Sequence, residues 1–290
     1  MKARVLFGVF GFAFVLLALY VFPPIVLELV VAALCVFATY EVLGSTKLVR
    51  NHLELLLAMA VSLGLAVGHF SILPLRLESI MQGLVLVLLF GSFAIELKYH
   101  DVMKASQVSW AFFGGLAVPY LLLSLLRIFQ MHYHHGSFIV LLPLLAAWGA
   151  DTCALFSGML FGKHKLAPVV SPKKTVEGAV GGVVGGAVLV LIAALIMNRT
   201  LGLEMPLWSA VVLGAVGAVL GEIGDLSFSV IKRQTGIKDY GHIFPGHGGV
   251  LDRFDSVLFV APFAELLFRV IWQLKIENGE WGIVVSCFAR

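Results

Sequence analysis

Nine runs of about 20 apolar residues divide the sequence, and they constrain its fold more than any other feature. A helix of that length spans the hydrocarbon core of a bilayer. The runs cover 5–22, 24–43, 53–70, 79–97, 107–128, 137–161, 176–198, 207–231 and 250–273. Because lipid offers no partner to an unpaired backbone group, these runs predict helices. The sequence therefore predicts an all-α, polytopic bundle of about nine transmembrane helices.

Composition supports a membrane protein and argues against a nucleic-acid partner. Hydrophobic residues make up 60% of the 290 residues and charged residues 13%, whereas soluble domains carry about 25% charged residues. The net charge is only +3. Three cysteines lack the spacing of a zinc or disulfide framework and are interpreted as packing residues: Cys35, Cys153 and Cys287. We expect one continuous bundle, with N-terminal helices in 1–135 and the polar motifs in 136–290, and leave open whether it forms a homodimer.

The positions of lysine and arginine predict the orientation of the bundle. Of the 18 lysines and arginines in the loops, at helix ends and at the termini, 13 lie on the side of the N-terminus. Short cytoplasmic loops carry the excess of positive charge in membrane proteins. The chain is therefore expected to be a multi-pass protein of the cell membrane with a cytoplasmic N-terminus and an external C-terminus. Its two most polar loops then face the cytoplasm.

The first of these loops reads "FGKHKLAPVVSPKKTVEG" at 161–178. Ser171 can cap a helix that begins at Pro172. Lys173 and Lys174 would then lie in the first turn, where the helix dipole favours a bound anion such as phosphate. The alternative is a set of positive charges that lies beside anionic lipid headgroups. The glycines that follow, from Gly178 to Gly186, predict close helix packing.

Acidic residues flank the second loop from both sides. Spacings of three and four place polar residues on one face of the preceding helix: Glu222, Asp225, Ser229 and Lys232 or Arg233. Asp252 and Asp255 lie one turn apart in the next run, with Ser256 beside them. Each acidic residue in a spanning helix costs roughly 3 kcal/mol on insertion scales, so such residues usually line a polar cavity. The two acidic faces could meet across a cation.

The available side chains indicate which cation and which ligand the cavity would hold. Carboxylates and hydroxyls without a Cys–His set suit magnesium, which bridges to substrate phosphates. The intervening "PGHGG" at 245–249 has glycines that let backbone N–H groups approach an anion. Carboxylates for a metal beside cations for phosphate are typical of phosphoryl or nucleotidyl transfer.

The pattern S-x-x-K-R-x4-K-D-x-G-x-x-F-P-x-H-G-G-V-x-D-R-F-D runs from Ser229 to Asp255 and resembles the signature of the phosphatidate cytidylyltransferases. "SPKKTVEG" and "ADTCALFSGMLFGKHKL" resemble upstream motifs of the same family, so the likeness covers about 148–256. Two positions depart from it. Val176 stands where many members have Trp, and Phe228 where many have Glu.

The resemblance implies an enzyme that joins CTP and phosphatidic acid into CDP-diacylglycerol and pyrophosphate, with Mg²⁺ required. We assign the metal to Asp225 and Asp252, with Asp255 and Asp151 as further candidates and room for a second cation. The expected phosphate-binding cations are Lys173, Lys174, Lys232, Arg233, Lys238 and Arg253. The other motif residues expected at the substrates are Ser171, Thr175, Ser229, Asp239, Gly246, His247, Gly248 and Gly249.

Two other functions remain as alternatives, a CTP-dependent lipid kinase and, less favoured, a secondary transporter. A transporter should show an inverted repeat with broken helices in both halves, whereas the motifs here crowd into the second half.

Several polar residues also have a structural interpretation. Asp151 could pair with a Lys or Arg, and His247 could shape its turn. The "HYHH" segment is interpreted as a solvated loop rather than a metal site. Three glutamates are expected to reach the membrane interface: Glu28, Glu41 and Glu96. Glu265 and Arg269 are expected to form an ion pair.

The predicted orientation can be tested by labelling single cysteines in intact cells. In a cysteine-free background, a membrane-impermeant reagent should modify His134→Cys but not Lys173→Cys, because the two positions are expected on opposite sides. Equal labelling of both variants would show that the helix count is wrong.

Overall fold

A computed structural model describes residues 15–72, 77–101, 103–132, 135–241 and 248–277, and most of them are helical. Six helices are long and apolar enough to cross a membrane: Pro24–Ser45, Ser79–Lys98, Ala105–Met131, Gly136–Phe161, Val176–Leu201 and Leu207–Gln234. The helix His52–Gly68 is apolar but shorter. The structure thus confirms a mainly helical, multi-pass membrane protein, and the count of nine stays a prediction. Only residues 15–22 of the first predicted run are described, and 15–20 of these are helical.

The elements are listed here in chain order. The helices of the first half are α1 Pro24–Tyr40, α2 His52–Gly68, α3 Leu77–Lys98, α4 Ala105–Phe112, α5 Val118–Leu122, α6 Ser124–Met131, α7 Gly136–Ile139 and α8 Leu141–Leu144. The elements of the second half are α9 Ala150–Phe161, β1 Lys165–Ala167, β2 Ser171–Thr175, α10 Val176–Leu201, α11 Leu207–Gln234, α12 Leu251–Phe254 and α13 Val257–Glu277. In the described part of the chain, three long apolar helices each contain a π-helical turn, at Glu41–Ser45, Phe113–Ala117 and Leu145–Gly149.

The "SPKK" segment is a strand, so the predicted helix start at Pro172 is wrong. β2 pairs antiparallel with β1, with Lys165 opposite Thr175 and Ala167 opposite Ser171. Because a residue before proline is disfavoured in the α region, Ser171 is extended rather than helical. Thr175 supplies the cap instead, since its Oγ1 accepts a 3.1 Å hydrogen bond from the Gly178 N–H.

The last predicted run, 250–273, is two helices rather than one. α12 ends at Phe254 and α13 begins at Val257, so that Asp255 and Ser256 form the turn between them. The Asp255 carboxylate accepts a 2.8 Å bond from the Ser256 N–H. A side chain that binds its own backbone in this way competes with the helical pattern. The break between the two helices places polar groups of both residues near α9 and α11.

Small residues let α9, α10 and α11 approach closely, as the glycine run predicts. A Cβ added at Gly178 would lie 2.8 Å from the Ala154 carbonyl oxygen of α9. One added at Gly186 would lie 2.9 Å from the Gly214 carbonyl oxygen of α11. Backbone atoms cannot yield to such contacts without moving a helix. The three helices are therefore fixed relative to one another, and two of them carry the acidic residues.

Buried ion pairs and carboxylates join distant parts of the bundle. The predicted pair is present, with Arg269 Nη2 2.9 Å from Glu265 Oε1. Glu265 also pairs with Arg127 of α6, whose Nε lies 2.8 Å from Oε2. Glu28 and Glu41 do not reach the interface as expected, because their side chains are 0% and 1% exposed. Glu28 accepts a hydrogen bond from the Ser71 N–H through Oε1, while its buried Oε2 has no hydrogen-bond partner. Both oxygens of Glu41 accept bonds, from the Val250 and Leu251 N–H groups.

We expect the substitution Gly214→Ala to destabilise the protein, because its Cβ would collide with the backbone of Gly186 and Ala187. Overpacking of this kind typically costs about 1–3 kcal/mol. Thermal unfolding in detergent should show a lower midpoint. Gly83→Ala is the matched control, since a Cβ there meets no atom within 4 Å. Equal midpoints for the two variants would contradict the proposed helix contact.

Candidate active site

A lysine from the hairpin joins two acidic residues of α11. Lys174 of β2 places its Nζ 2.8 Å from Glu222 Oε1 and 2.7 Å from Asp225 Oδ2. Burial by itself would lower the pKa of Lys174, but the two carboxylates raise it above its ordinary value. The side chain is therefore a cation at neutral pH. Ser229, one turn further along α11, donates a 3.2 Å bond to Asp225 Oδ1.

A second lysine joins α11 to the segment that follows the glycine-rich loop. Lys232 Nζ lies 2.8 Å from Asp252 Oδ1, and both side chains are buried. Asp252 Oδ2 accepts bonds from the backbone N–H groups of Tyr240 at 2.7 Å and Gly249 at 2.9 Å. Lys232 of the α11 face thus pairs directly with Asp252 of the second face, and the metal cation expected between the two faces stays a prediction.

The turn between α12 and α13 connects this region to α9. Ser256 donates a 3.0 Å hydrogen bond from its Oγ to Asp151 Oδ2. Asp255 is 7% exposed and lies within electrostatic range of Asp225, Lys232 and Asp151. Asp151 is in turn within range of Lys174 and Glu222. Asp151 thus contacts a serine, and its place in a substrate cavity stays a prediction.

Carboxyl groups outnumber ammonium groups in this cluster, which we call the acidic cluster. Its carboxylates are Asp151, Glu222, Asp225, Asp252 and Asp255, and the ammonium groups that contact them are those of Lys174 and Lys232. Uncompensated charge in a low-dielectric interior is costly. The excess of carboxylates therefore favours the binding of an additional cation.

The oxygen atoms of the acidic cluster are of the kind that binds magnesium, but they do not by themselves form a complete coordination shell. Carboxylate and hydroxyl oxygens are the ligands that magnesium takes, usually one or two from protein with substrate phosphates and water completing the shell. Among the described residues, no three His, Cys, Asp or Glu side chains are grouped to hold an ion. Asp252 is already engaged by Lys232 and two N–H groups. Asp225 is likewise engaged by Lys174 and Ser229, and Asp255 by the Ser256 N–H. The assignments of all three residues to the metal stay predictions.

The backbone N–H groups at the end of the glycine-rich loop donate hydrogen bonds to carboxylates of the protein itself. Gly249 donates to Asp252, and the next two N–H groups donate to Glu41. The predicted use of the Gly249 N–H for phosphate therefore requires this bond to open. Gly248 has a φ of +83°, a conformation that glycine adopts readily. Gly246 and His247 lie outside the described residues.

Other predicted substrate residues lie around the acidic cluster rather than in it. Lys173, Lys238 and Asp239 are exposed, and Ser171 is half-buried at the start of β2. Arg233 donates a 3.3 Å bond from Nε to the Val170 carbonyl and so ties the hairpin to α11. Arg253 accepts through its carbonyl a 3.0 Å bond from the Trp148 indole N–H. Thr175 caps α10, which makes its role structural in this conformation.

Sequence reasoning missed Tyr240 and the role of Phe228. Tyr240 is 1% exposed and donates a 2.9 Å bond to the Phe228 carbonyl. Burial, with a further contribution from nearby Asp252, raises the pKa of Tyr240 and keeps it a neutral donor. The Phe228 ring packs edge-on against Tyr240 and Phe259. Phe228, which stands where many family members have Glu, thus belongs to an aromatic cluster. The spacing of polar residues in the sequence does not indicate such a cluster.

The histidine segment is half-buried rather than freely solvated. The His132 and His135 rings lie 5.1 Å apart, and His132 lies 6.0 Å from Trp272. His134 falls outside the described residues. The free cysteines Cys35 and Cys153 are buried and half-buried in the bundle, as expected for packing residues.

Comparison with known proteins places the geometry in context. The chain is 32% identical over 283 residues to a phosphatidate cytidylyltransferase of Haemophilus influenzae, which covers 91% of this chain and 96% of that protein. It is 34% identical over 255 residues to a phosphatidate cytidylyltransferase of Staphylococcus aureus, covering 87% and 95%. A third, from Staphylococcus saprophyticus, is 37% identical over 197 residues, covering 67% and 74%. Since the model of the cytidylyltransferase family also matches residues 2–271, the chain belongs to that family.

Proposed function

We propose that the protein transfers the cytidylyl group of CTP to phosphatidic acid, forming CDP-diacylglycerol and releasing pyrophosphate. The relatives named phosphatidate cytidylyltransferase match nearly the whole chain. The observation that carries the proposal is the acidic cluster, in which Lys174 of β2 contacts two carboxylates of α11 and Lys232 of α11 contacts Asp252 of α12 inside a membrane bundle. The reaction takes place in phospholipid biosynthesis, and membrane lipid supplies one substrate.

The reaction needs alignment and charge control more than a nucleophilic side chain. A phosphatidate oxygen is an anion at neutral pH and can attack the α-phosphorus of CTP directly. The P–O bond to the β-phosphate then breaks, and its electron pair leaves with pyrophosphate. Two anions must be brought together, so neutralising and orienting them is the main task of the protein. A buried cluster of fixed charges is suited to that task because little reorganisation is needed when the reaction occurs.

The two lysines supply the positive charge within the cluster. An ammonium group has three N–H donors. Lys174 directs its charge at Glu222 and Asp225, and Lys232 directs its charge at Asp252. The remaining N–H groups can donate to a phosphate oxygen without loss of these pairs. The carboxylates in turn fix the positions of both ammonium groups.

Magnesium would be held by Asp225 and Asp252, with Asp255 and Asp151 as further candidates for it or for a second cation. When bound, the ion supplies positive charge that draws substrate phosphate oxygens toward a site rich in carboxylates. The excess of carboxylates over lysines in the described cluster supports this assignment.

The surroundings of the cluster suit a lipid. Trp148 and Phe254 pack edge-on with ring centroids 5.7 Å apart. They line one end of an apolar crevice that continues past Leu19, Leu27 and Leu144. Phe254 lies between Arg253 and Asp255 in sequence, so an acyl chain beside it would place its headgroup near the acidic cluster.

The proposal includes the orientation of the chain. An N-terminus inside the cell and about nine spanning helices would place the hairpin and the acidic cluster at the cytoplasmic face, where CTP is available. The excess of lysine and arginine on that side supports this arrangement. A homodimer is compatible with it.

The function can be tested with purified protein in detergent, using CTP labelled in the cytosine ring, phosphatidic acid and Mg²⁺. We expect labelled lipid and one pyrophosphate for each CTP consumed. A CTP-dependent lipid kinase would instead release labelled CDP and leave the lipid unlabelled in cytosine. A transporter would leave CTP intact, and either of these results would contradict the proposal.

Removing single charges from the acidic cluster should abolish most turnover. We expect Asp225→Asn and Lys174→Ala each to lower the rate at saturating Mg²⁺ by at least about a hundredfold, because each removes a charge that holds the other in place. Asp101→Asn and Lys98→Ala are the controls, since both residues are exposed and lie outside the cluster. Rates are compared at equal amounts of folded protein. Near-normal turnover of either cluster variant would remove that residue from the active site.

A further inference from the structure

A carboxylate from the first half of the chain holds the segment that carries Asp252. Glu41 follows the last residue of α1 and is 1% exposed. Its Oε1 accepts a 3.0 Å hydrogen bond from the Val250 N–H, and its Oε2 accepts a 2.7 Å bond from the Leu251 N–H. The bonded residues are separated from Glu41 by more than 200 positions in the sequence. Glu41 thus caps α12 from another part of the bundle.

Two carboxylates share three consecutive N–H groups at this point. The Gly249 N–H donates to Asp252, and the next two donate to Glu41. Since Asp252 also binds Lys232 at 2.8 Å, the chain of contacts runs from Glu41 through the backbone to the Lys232 ammonium. Charged acceptors form stronger hydrogen bonds than neutral ones. The direction in which Asp252 points therefore depends on Glu41.

The local backbone fits this arrangement on both sides. Glu41 begins a π-helical turn that runs to Ser45, and single π-helical turns within α-helices often occur at functional sites. On the other side, a Cβ added at Gly249 would collide with the Glu41 carboxylate, and one added at Gly241 would do the same. The carboxylate thus lies between two glycines that leave it space.

We propose that Glu41 is a positioning residue for cytidylyl transfer, which sets the Asp252–Lys232 pair by fixing the backbone at 249–251. It does not contact the substrates itself. The inference rests on the proposed function, since Asp252 and Lys232 belong to the active site only if that function holds. It gives the N-terminal half of the bundle a part in positioning the active site, beyond forming membrane helices.

The test compares Glu41→Gln with Glu28→Gln. Glu28 is the matched control because it lies on α1, is fully buried, and also accepts a bond from a backbone N–H, that of Ser71 at 3.0 Å. Both variants lose a buried negative charge, so their thermal midpoints in detergent should fall by similar amounts. We expect kcat for CDP-diacylglycerol formation to fall by at least about tenfold for Glu41→Gln only, since a misplaced group costs rate rather than stability.

A second comparison asks whether Glu41 acts through Asp252. In an Asp252→Asn background, Glu41→Gln should lower kcat by less than about twofold, because the group it positions has already lost its charge. If Glu41→Gln does not fold, the variant Gly249→Ala takes its place in the test. It keeps the carboxylate but displaces it, and the same loss of kcat is expected.

The outcomes separate the two levels of the proposal. Wild-type protein that forms no CDP-diacylglycerol would contradict the proposed function and the role of Glu41 together. An active wild type with equal kcat for Glu41→Gln and Glu28→Gln would contradict the positioning role alone. So would fully additive losses in the Asp252→Asn background.

Discussion

Two lysine ammonium groups hold the acidic cluster together inside an apolar bundle, and the rest of the site depends on them. Lys174 reaches from the hairpin to Glu222 and Asp225, and Lys232 reaches from α11 to Asp252. Breaking a buried pair by removing one partner typically costs about 3–5 kcal/mol, because the other charge is left uncompensated. The positions of the hairpin, α11 and α12 are therefore coupled through charge. The same coupling concentrates carboxylates where a metal ion and two phosphate-bearing substrates can be bound.

The supporting structure explains why this cluster can persist in a membrane. α9, α10 and α11 contact one another through glycines that admit no Cβ, so their backbones lie close and fixed. Asp151 of α9 meets Ser256, and Glu41 at the end of α1 caps the segment that carries Asp252. These contacts, and those of the two lysines, bond Glu41, Asp151, Glu222, Asp225 and Asp252 to groups from other elements. The bundle supplies rigid placement, and the polar groups supply the chemistry.

Much of this arrangement follows from sequence, and the exceptions have physical causes. Apolar runs predicted the helices because a helix needs about 20 apolar residues to cross the bilayer. The spacing of Asp225 and Ser229 predicted that the two residues share one face of a helix. The helix expected at Pro172 is a strand, because Thr175 is the better cap and the residues before it pair with β1. Glu41 could not be placed, since a lone glutamate near the end of an apolar run resembles one that reaches the interface. Its partners are backbone N–H groups over 200 residues away, and no local pattern encodes them.

The central claim is that the acidic cluster aligns two anions for a direct displacement at phosphorus, without a covalent enzyme intermediate. The stereochemistry of the α-phosphorus tests this claim most directly. CTP carrying sulfur in one defined configuration at the α-phosphate would be converted in the presence of phosphatidic acid and Mg²⁺, and the configuration of the lipid product determined. A single in-line attack predicts inversion at phosphorus. Retention would indicate two successive displacements through a covalently modified side chain and would contradict the account.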